Sequence, residues 1–343
     1  MNDSFLYLSA ADVSLAAAEV DAVDAVREVL ALHAAGQARV ASEAYLAWTS
    51  PGGGDARSIS MPGLLEGGGA AVGVKIINAN NANPSSGLPR ASGLTVIFDP
   101  ETARPLCVMA AGHISALRTA AVSALSAGML IASHATTATV IGAGPLGLEH
   151  CVVLANCIPQ ITKVLVFDTA PQRAVRLCDE LSGRLPPGRL EAEPAAAAET
   201  AVRRCDLLVT CTTTRTSYVR RDWLKDGAVA INVSLDDLAE DVLIGAARLY
   251  VDDWRLITDD QHRLLGKLAR AGRVVAPGTK PAPQSRAVTG TLGQLILGQC
   301  EGRGTDADIC VVNPFGMAIE DVSLAYRVYQ SAQRGNIGSV LPL

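Results

Sequence analysis

The chain has 343 residues, which is long enough for two domains with buried cores, and 49% of them are hydrophobic and 18% charged, which is typical of a packed globular protein. Its formal net charge is −5, from 29 basic and 34 acidic residues, and it contains no basic run. This balance argues against a protein that binds nucleic acid or an acidic membrane surface.

The N-terminal residues and the cysteines both indicate a cytoplasmic protein. The N-terminus carries acids at Asp3 and Asp12 and lacks the basic segment of a secretory signal. The eight cysteines form no C-x-x-C pair, and most lie among Val, Leu and Ile, which predicts reduced, buried thiols and neither a disulfide framework nor a bound metal. Residues 119–150 carry one charged residue, Glu149, but Ser, Thr, His and Gly interrupt them, which favours a buried helix and strand over a membrane span.

The first third of the chain predicts a helical start followed by antiparallel strands. Residues 9–12 read S-A-A-D, a helix-capping pattern, and apolar residues then recur at the helical period as far as Leu30. Residues 38–110 read as short strands separated by glycine- and proline-containing turns. A helix is predicted from about Ser115 to Ala132.

From Thr137 onward, strand-like and helix-like segments alternate, which is typical of a parallel sheet covered by helices. The alanine-rich residues 192–202 predict a surface helix, and a last helix is predicted from Met317 to about Arg334. We therefore predict an α/β protein in which a Rossmann dinucleotide-binding domain, residues 123–313, follows an α+β domain. The α+β domain comprises residues 1–122 together with residues 314–343, whose C-terminal helix returns to it.

Residues 142–147 read G-A-G-P-L-G and come between a β-like run and a helix. In a dinucleotide-binding turn Gly142 permits the tight bend, Gly144 lets the backbone approach the pyrophosphate, and Gly147 lets helix and strand pack closely. Asp168 ends the next strand-like run, where a carboxylate can bind the adenosine ribose 2′-hydroxyl and repel a 2′-phosphate. The pattern predicts NAD rather than NADP; the alternative is a glycine-rich turn without a ligand.

Four basic residues stand among apolar or small residues: Arg39, Lys75, Arg90 and Arg118. A charge buried in such surroundings is costly unless it is paired, and arginines that converge on one pocket suit a substrate with carboxylates. A surface side chain or an internal ion pair is the alternative for each of them.

Asp236 and Asp237 follow the strand-like run AINVSL, at the edge of a parallel sheet where ligands bind. An aspartate there is a candidate acid/base, and the alternative is the N-cap of a following helix. Among the five histidines only His113, close to Arg118, is a weak further candidate.

Six segments together resemble the ornithine cyclodeaminase/μ-crystallin family over nearly the whole chain. They are RVAS at 39–42, VKIIN at 74–78, SALRTAA at 115–121, VIGAGPLG at 140–147, NVSLDD at 232–237 and NPFGMAIED at 313–321. The resemblance implies a homodimer, with an N-terminal substrate and dimerisation domain joined to a Rossmann domain.

The resemblance also implies roles for individual residues. It places Arg39, Lys75 and Arg118 at a substrate carboxylate and Asp237 at the amine as acid/base. Independently of the resemblance, Lys75 is a catalytic candidate, because a lysine whose pKa is lowered by burial can support chemistry at a carbonyl or imine carbon. Cofactor contacts are implied for the glycine loop, including Pro145 and Leu146, and for Thr212 and Asn313, which would lie near the nicotinamide.

Three departures argue against ornithine cyclisation, and one of them is NVSLDD at 232–237, where ornithine cyclodeaminases carry NAVGGD. Ornithine cyclodeaminases carry a Glu just before a Met-Pro pair, where this sequence has Ile59 and Ser60, and they carry a Thr in place of Arg90. RSISMPGLL, GLPRASGL, NVSLDDLAEDV and YVDDW are more similar to the branch that oxidises N-(2-amino-2-carboxyethyl)-L-glutamate with NAD, giving 2,3-diaminopropionate and 2-oxoglutarate. That substrate has three carboxylates, which suits an additional cation at Arg90.

Three alternatives stay open at this point. The first is an imino-acid reductase or amino-acid dehydrogenase that uses the same pocket. The second is an ornithine or lysine cyclodeaminase, and the third is a protein that binds NAD without catalysis.

Overall fold

A computed structural model of the chain describes residues 4–67 and 69–343, and its residues form two compact units. The first unit comprises the residues up to Arg118 together with Gly316–Leu343, and the second is Thr119–Phe315. The division falls inside the helix Ala111–Leu130, a few residues from the boundaries expected at 122 and 313.

The first unit is built on an eight-stranded sheet in which most neighbours are antiparallel. Its strand order is β18-β1-β7-β6-β5-β4-β2, with β3 paired to β4, and β1 runs parallel to β7. The strands are β1 Ser4–Leu8, β2 Ala38–Val40, β3 Ala44–Thr49, β4 Asp55–Leu65, β5 Ala71–Asn80, β6 Ala91–Phe98, β7 Pro105–Ala110 and β18 Ser339–Pro342. Helices of this unit are α1 Ala10–Ala17, α2 Ala22–Ala34 and α11 Ala318–Gly335, and α3, Ala111–Leu130, begins in it.

Helix α11 packs directly onto strands β4 and β5 because glycines stand at the contact. A Cβ on Gly63 would lie 3.1 Å from Ile319, and one on Gly73 would lie 3.2 Å from Val322. Ile319 and Val322 are fully buried there. The predicted cap of α1 is confirmed, since Ser9 forms a reciprocal capping box with the third residue of the helix.

The second unit holds an all-parallel eight-stranded sheet with the order β10-β9-β8-β11-β12-β17-β13-β16. Its strands are β8 Thr137–Ile141, β9 Lys163–Phe167, β10 Glu191–Pro194, β11 Leu207–Thr210, β12 Val229–Asn232, β13 Arg248–Val251, β16 Gly290–Thr291 and β17 Cys310–Val312; β14 Val274–Val275 and β15 Arg286–Ala287 form a separate pair. The helices are α4 Pro145–Cys157, α5 Pro171–Arg184, α6 Ala198–Arg204, α7 Glu240–Gly245, α8 Trp254–Asp259, α9 Leu264–Arg270 and α10 Leu292–Ile296.

The strand order of this sheet reverses at β8, because β9 and β10 extend it on one side and β11 and β12 on the other. Dinucleotides bind at such a switch point, at the carboxyl ends of the strands. The predicted fold class, a Rossmann domain joined to an α+β domain, is confirmed.

Two local predictions need correction. The alanine-rich residues 192–202 are not one helix: strand β10 pairs with β9, and helix α6 begins only at Ala198. Pairing along the open edge of a parallel sheet outweighs the helical preference of alanine there. The strands between 38 and 110 are also longer than expected, and β4 reaches 11 residues.

Residues 119–150 form the end of helix α3, strand β8 and the start of helix α4, as predicted. Across residues 4–67 and 69–343, no helix combines the length and the apolar character that crossing a membrane requires.

Candidate active site

The glycine loop that joins β8 to α4 leaves no space for a side chain at Gly142 or at Gly147. Gly142 has φ of 103°, and a Cβ there would lie 2.7 Å from the carbonyl oxygen of Cys211. A Cβ on Gly147 would collide with the carbonyl oxygen of Gly142. At Gly144, in contrast, a Cβ would meet nothing within 4 Å, so this residue faces open space.

That open space lies at the N-terminus of helix α4. Gly144 is the N-cap and makes no side-chain capping bond, and Pro145, which has no N–H, begins the helix. The N–H groups of Leu146 and Gly147 belong to the first turn, where helices have no internal acceptors for them. The residues present therefore fit the pyrophosphate of a dinucleotide.

Asp168 is fixed against the same loop. It follows strand β9, and its Oδ2 accepts a hydrogen bond of 2.9 Å from the Ala143 N–H while its Oδ1 accepts one of 2.9 Å from Ala170. The side chain is half-buried. A carboxylate held beside the glycine loop fits the ribose-binding position that the sequence predicts.

Asp237 is a buried carboxylate that three hydroxyl groups surround. Thr212 Oγ1 and Tyr218 Oη each donate to Oδ1 at 2.8 Å, and Ser234 Oγ donates to Oδ2. Burial raises the pKa of Asp237 above its ordinary value, and the three hydroxyl donors oppose that rise without cancelling it.

The backbone places Asp237 close to the glycine loop. A Cβ on Gly142 would lie 3.2 Å from the Thr212 amide nitrogen, and the Thr212 side chain donates to Asp237. Asp237 caps no helix, because α7 begins at Glu240 with Ala239 as its N-cap. The helix-cap alternative is therefore wrong for Asp237.

Asp236 has a different environment from its neighbour. Its Oδ1 accepts a 2.6 Å hydrogen bond from the Leu264 N–H at the start of helix α9. This aspartate anchors a loop to a helix terminus and has no hydroxyl donors among the described residues.

Asn313 belongs to a buried amide chain at the ends of strands β12 and β17. Its Oδ1 accepts from Asn232 Nδ2 at 2.9 Å, and Asn232 Oδ1 accepts from Thr210 Oγ1 at 2.9 Å. Among the described residues, the buried Asn313 Nδ2 has no hydrogen-bond partner. This donor fits the cofactor contact that the resemblance implies, since a buried amide normally has a partner.

In the first unit, Lys75 and Arg118 meet on two carboxylates of helix α11. Lys75 Nζ lies 2.6 Å from Asp321 Oδ2, and Arg118 lies 2.7 Å from Glu320 Oε2 and 3.3 Å from Asp321 Oδ2. Both carboxylates are fully buried, and Lys75 is 2% exposed. Burial lowers the pKa of Lys75, whereas Asp321 opposes that shift.

Arg39 and Arg90 do not join this cluster. Arg39 pairs with Glu66, and its side chain is 70% exposed. Arg90 is half-buried, and its pKa is lowered first by burial and then by the charge of Arg57. The predicted convergence therefore applies to Lys75 and Arg118 within this unit, and the roles of Arg39 and Arg90 stay predictions.

Sequence reasoning missed the groups that hold these charges. Asp321 and Glu320 end the segment NPFGMAIED, and their acidic pair was the available signal. Ser234 and Tyr218 carried no signal of their own, because hydroxyl residues are common in loops. Within the described residues, no group of three or more His, Cys, Asp or Glu side chains is arranged to hold a metal ion.

The sequence profile of the ornithine cyclodeaminase/mu-crystallin family matches residues 5–336. The chain belongs to this family. Among its members, the N-((2S)-2-amino-2-carboxyethyl)-L-glutamate dehydrogenase of Staphylococcus aureus is 35% identical over the full length of both chains.

Two solved structures superpose on nearly the whole chain. The crystal structure of CmnK is 35% identical, with a TM-score of 0.89 and 99% of both chains covered. An archaeal alanine dehydrogenase, a dimer with bound NAD, is 28% identical, with a TM-score of 0.81, and covers 98% of this chain and 99% of its own.

Proposed function

We propose that this protein is an NAD-dependent dehydrogenase that converts N-(2-amino-2-carboxyethyl)-L-glutamate into 2,3-diaminopropionate and 2-oxoglutarate. In this reaction the glutamyl Cα–H is oxidised, one water molecule is added, and the C–N bond breaks. The observation that carries the proposal is the buried carboxylate of Asp237, which accepts hydrogen bonds from three hydroxyl groups close to the glycine loop. The full-length identity to the Staphylococcus aureus enzyme supports the choice of substrate.

The glycine loop, Asp168, Thr212 and Asn313 form the proposed NAD site. NAD+ supplies the hydride acceptor when it is bound. The first-turn N–H groups of α4 hold its pyrophosphate, and Asp168 selects a ribose that carries a free 2′-hydroxyl.

Asp237 is the proposed acid/base. Its ionised carboxylate accepts the proton of the substrate's secondary amine as the C–N bond is oxidised. After releasing that proton to solvent, Asp237 accepts a proton from the water that adds to the imine carbon, and it passes this proton to the nitrogen of the departing amine as the C–N bond breaks. Its raised pKa suits both directions, because a base and its conjugate acid must each be accessible near the working pH.

Lys75 and Arg118 are the proposed contacts for the carboxylate next to the reacting carbon. Their pairing with Asp321 and Glu320 holds both cations in fixed positions before the substrate binds. Fixed groups reduce the entropy lost on binding and orient the Cα–H. Arg39 and Arg90 are proposed for the other carboxylates.

A homodimer is proposed as the assembled form. Leu46, Trp48 and Leu94 are exposed large side chains, and strand register places them together on the sheet face opposite Lys75. Exposed apolar patches of this kind mark protein interfaces. Light scattering on the purified protein tests this: a mass of about 36 kDa instead of twice that value would contradict it.

The decisive experiment is to supply NAD+ with the glutamate adduct and to follow NADH absorbance while mass spectrometry identifies the products. Alanine and ornithine serve as parallel substrates. NADH formed with equimolar 2-oxoglutarate from the adduct alone supports the proposal. Activity with alanine only would favour an amino-acid dehydrogenase, the alternative that the archaeal relative suggests.

A further inference from the structure

Arg57 lies on the same face of the first sheet as Lys75, and the strand register shows this directly. Arg57 pairs with Ala79 across strands β4 and β5, and Met61 pairs with Lys75 four residues further along. Because side chains alternate between the two faces of a strand, positions 57, 59 and 61 share one face. We call each such row of paired residues a rung. The Arg57–Ala79 rung and the Met61–Lys75 rung are four residues apart along strand β4, which is a distance of about 13 Å.

The rung that contains Arg57 is lined by small side chains. Ala47 of strand β3 and Ala79 of strand β5 flank it, and Ala91 of strand β6 follows Ala79. Arg90 directly precedes Ala91 in the chain. Methyl groups on both sides leave room above the sheet for the Arg57 guanidinium and for a bound group.

Arg57 and Arg90 are close enough for the charge of Arg57 to lower the pKa of Arg90. Both are half-buried. Within residues 4–67 and 69–343, neither side chain has an ion pair or a hydrogen bond. Two neighbouring cations that are partly desolvated repel each other, and this repulsion raises the electrostatic free energy of the protein. An anion bound between them would remove that repulsion.

Lys75 and Arg118 differ from this pair, because each already contacts a carboxylate of helix α11. Elsewhere in the unit, the exposed Arg39 and the half-buried Arg327 also have acidic partners. An anion supplied from outside the chain is the partner that the Arg57 and Arg90 pair lacks.

We infer that Arg57, together with Arg90, binds a carboxylate of the substrate distant from the reacting carbon and so sets specificity for a substrate with several carboxylates. The inference rests on the proposed function for the identity of that substrate. It adds a residue to the site and gives the neighbouring Ile59 and Ile77 a role as the apolar wall between the two cationic rungs.

The first test compares Arg57→Gln with wild type on three substrates. These are the glutamate adduct, its glutamine counterpart without the γ-carboxylate, and N-(2-aminoethyl)-L-glutamate without the other distal carboxylate. Loss of a charge-assisted contact raises KM about ten- to a hundredfold, with little change in kcat. We expect R57Q to show this rise in KM on the adduct. On the analogue that lacks the carboxylate bound by Arg57, the KM of R57Q should equal the KM of wild type. Equal losses on all three substrates, or no loss on any, would overturn the inference.

Arg27→Gln is the matched control, because Arg27 is an exposed arginine on helix α2 and the charge change is the same. Arg57→Lys should recover part of the affinity, since a lysine keeps the charge without the bidentate geometry. Melting temperatures of all variants show whether the sheet is intact.

A second measurement is independent of the reaction. Calorimetry with glutarate, a dicarboxylate probe, should give binding to wild type that R57Q weakens at least about tenfold. Unchanged binding in R57Q, or none in wild type, would overturn the inference. Because glutarate needs no turnover, this result stands even if the glutamate adduct is not the substrate.

Discussion

The substitution Asp237→Asn removes a buried charge and keeps the shape of the side chain. An asparagine oxygen can still accept from Thr212 and Tyr218, which both donate to Oδ1 in the wild-type protein at 2.8 Å. The amide nitrogen can donate to Ser234, whose hydroxyl can rotate to accept. The network should therefore survive, and only the proton acceptor is lost.

The substitution should lower kcat without lowering the stability of the protein. A positioned acid/base contributes about 10²–10⁴ to the rate, so kcat should fall at least about a hundredfold. Stability should not fall, because the pKa of Asp237 is raised by burial. The native state binds this proton more tightly than the unfolded state, so the wild-type protein loses stability as pH rises from 3.8 through the raised pKa. Asparagine does not titrate and avoids this loss.

The assay combines saturation kinetics with thermal unfolding across the pH range. At neutral pH the variant should melt at the wild-type temperature or above it, and its kcat/KM profile should lack the acidic limb that wild type shows above pH 3.8. Asp236→Asn is the matched control: it also removes a buried carboxylate, yet turnover should stay within about threefold. A fall in kcat below threefold for Asp237→Asn, or a large fall in its melting temperature, would refute the reasoning.

Five further substitutions test the cofactor loop and the buried charges. Gly144→Ala should fold normally yet bind NAD+ about tenfold more weakly, because the added methyl group occupies the open space at the start of α4. Gly142→Ala should lower the free energy of unfolding by about 1–3 kcal/mol, because Gly142 has a positive φ. Thermal melting and NAD+ titration of both variants distinguish the two effects. Asp168→Ser should shift the NADP+ to NAD+ preference at least about tenfold, measured as a ratio of kcat/KM values. Lys75→Met should cost about 3–5 kcal/mol by removing the nearer of the two cations that contact the buried Asp321, which keeps only Arg118 at 3.3 Å; adding Asp321→Leu should restore stability in denaturant unfolding but not activity.

The cofactor site could be read from the sequence because its determinants are local. The spacing from Gly142 to Gly147 and the aspartate that ends the next strand lie within a single β-α-β unit. Backbone geometry in such a unit depends on residue types that are close in the chain. The cap of helix α1 was predictable for the same reason, since the capping box joins Ser9 to Asp12, three residues along the chain.

The environment of the buried cations could not be read from the sequence. Lys75 and Asp321 are 246 residues apart, and Arg118 and Glu320 are 202 apart. Sequence context predicted that Lys75 and Arg118 would be costly to bury and therefore paired, but it left a substrate and an internal carboxylate as equal candidates. Only the packing of α11 on β4 and β5 shows that an internal carboxylate contacts each of them.

The neighbours Asp236 and Asp237 show why residue type alone does not identify a catalytic acid/base. Both are buried, but Asp236 accepts from a backbone N–H, which can only donate. The partners of Asp237 are hydroxyl groups, each of which can donate to the carboxylate or accept from the carboxylic acid. Asp237 can therefore gain and lose a proton while its contacts persist, and a group that transfers protons during turnover must do both.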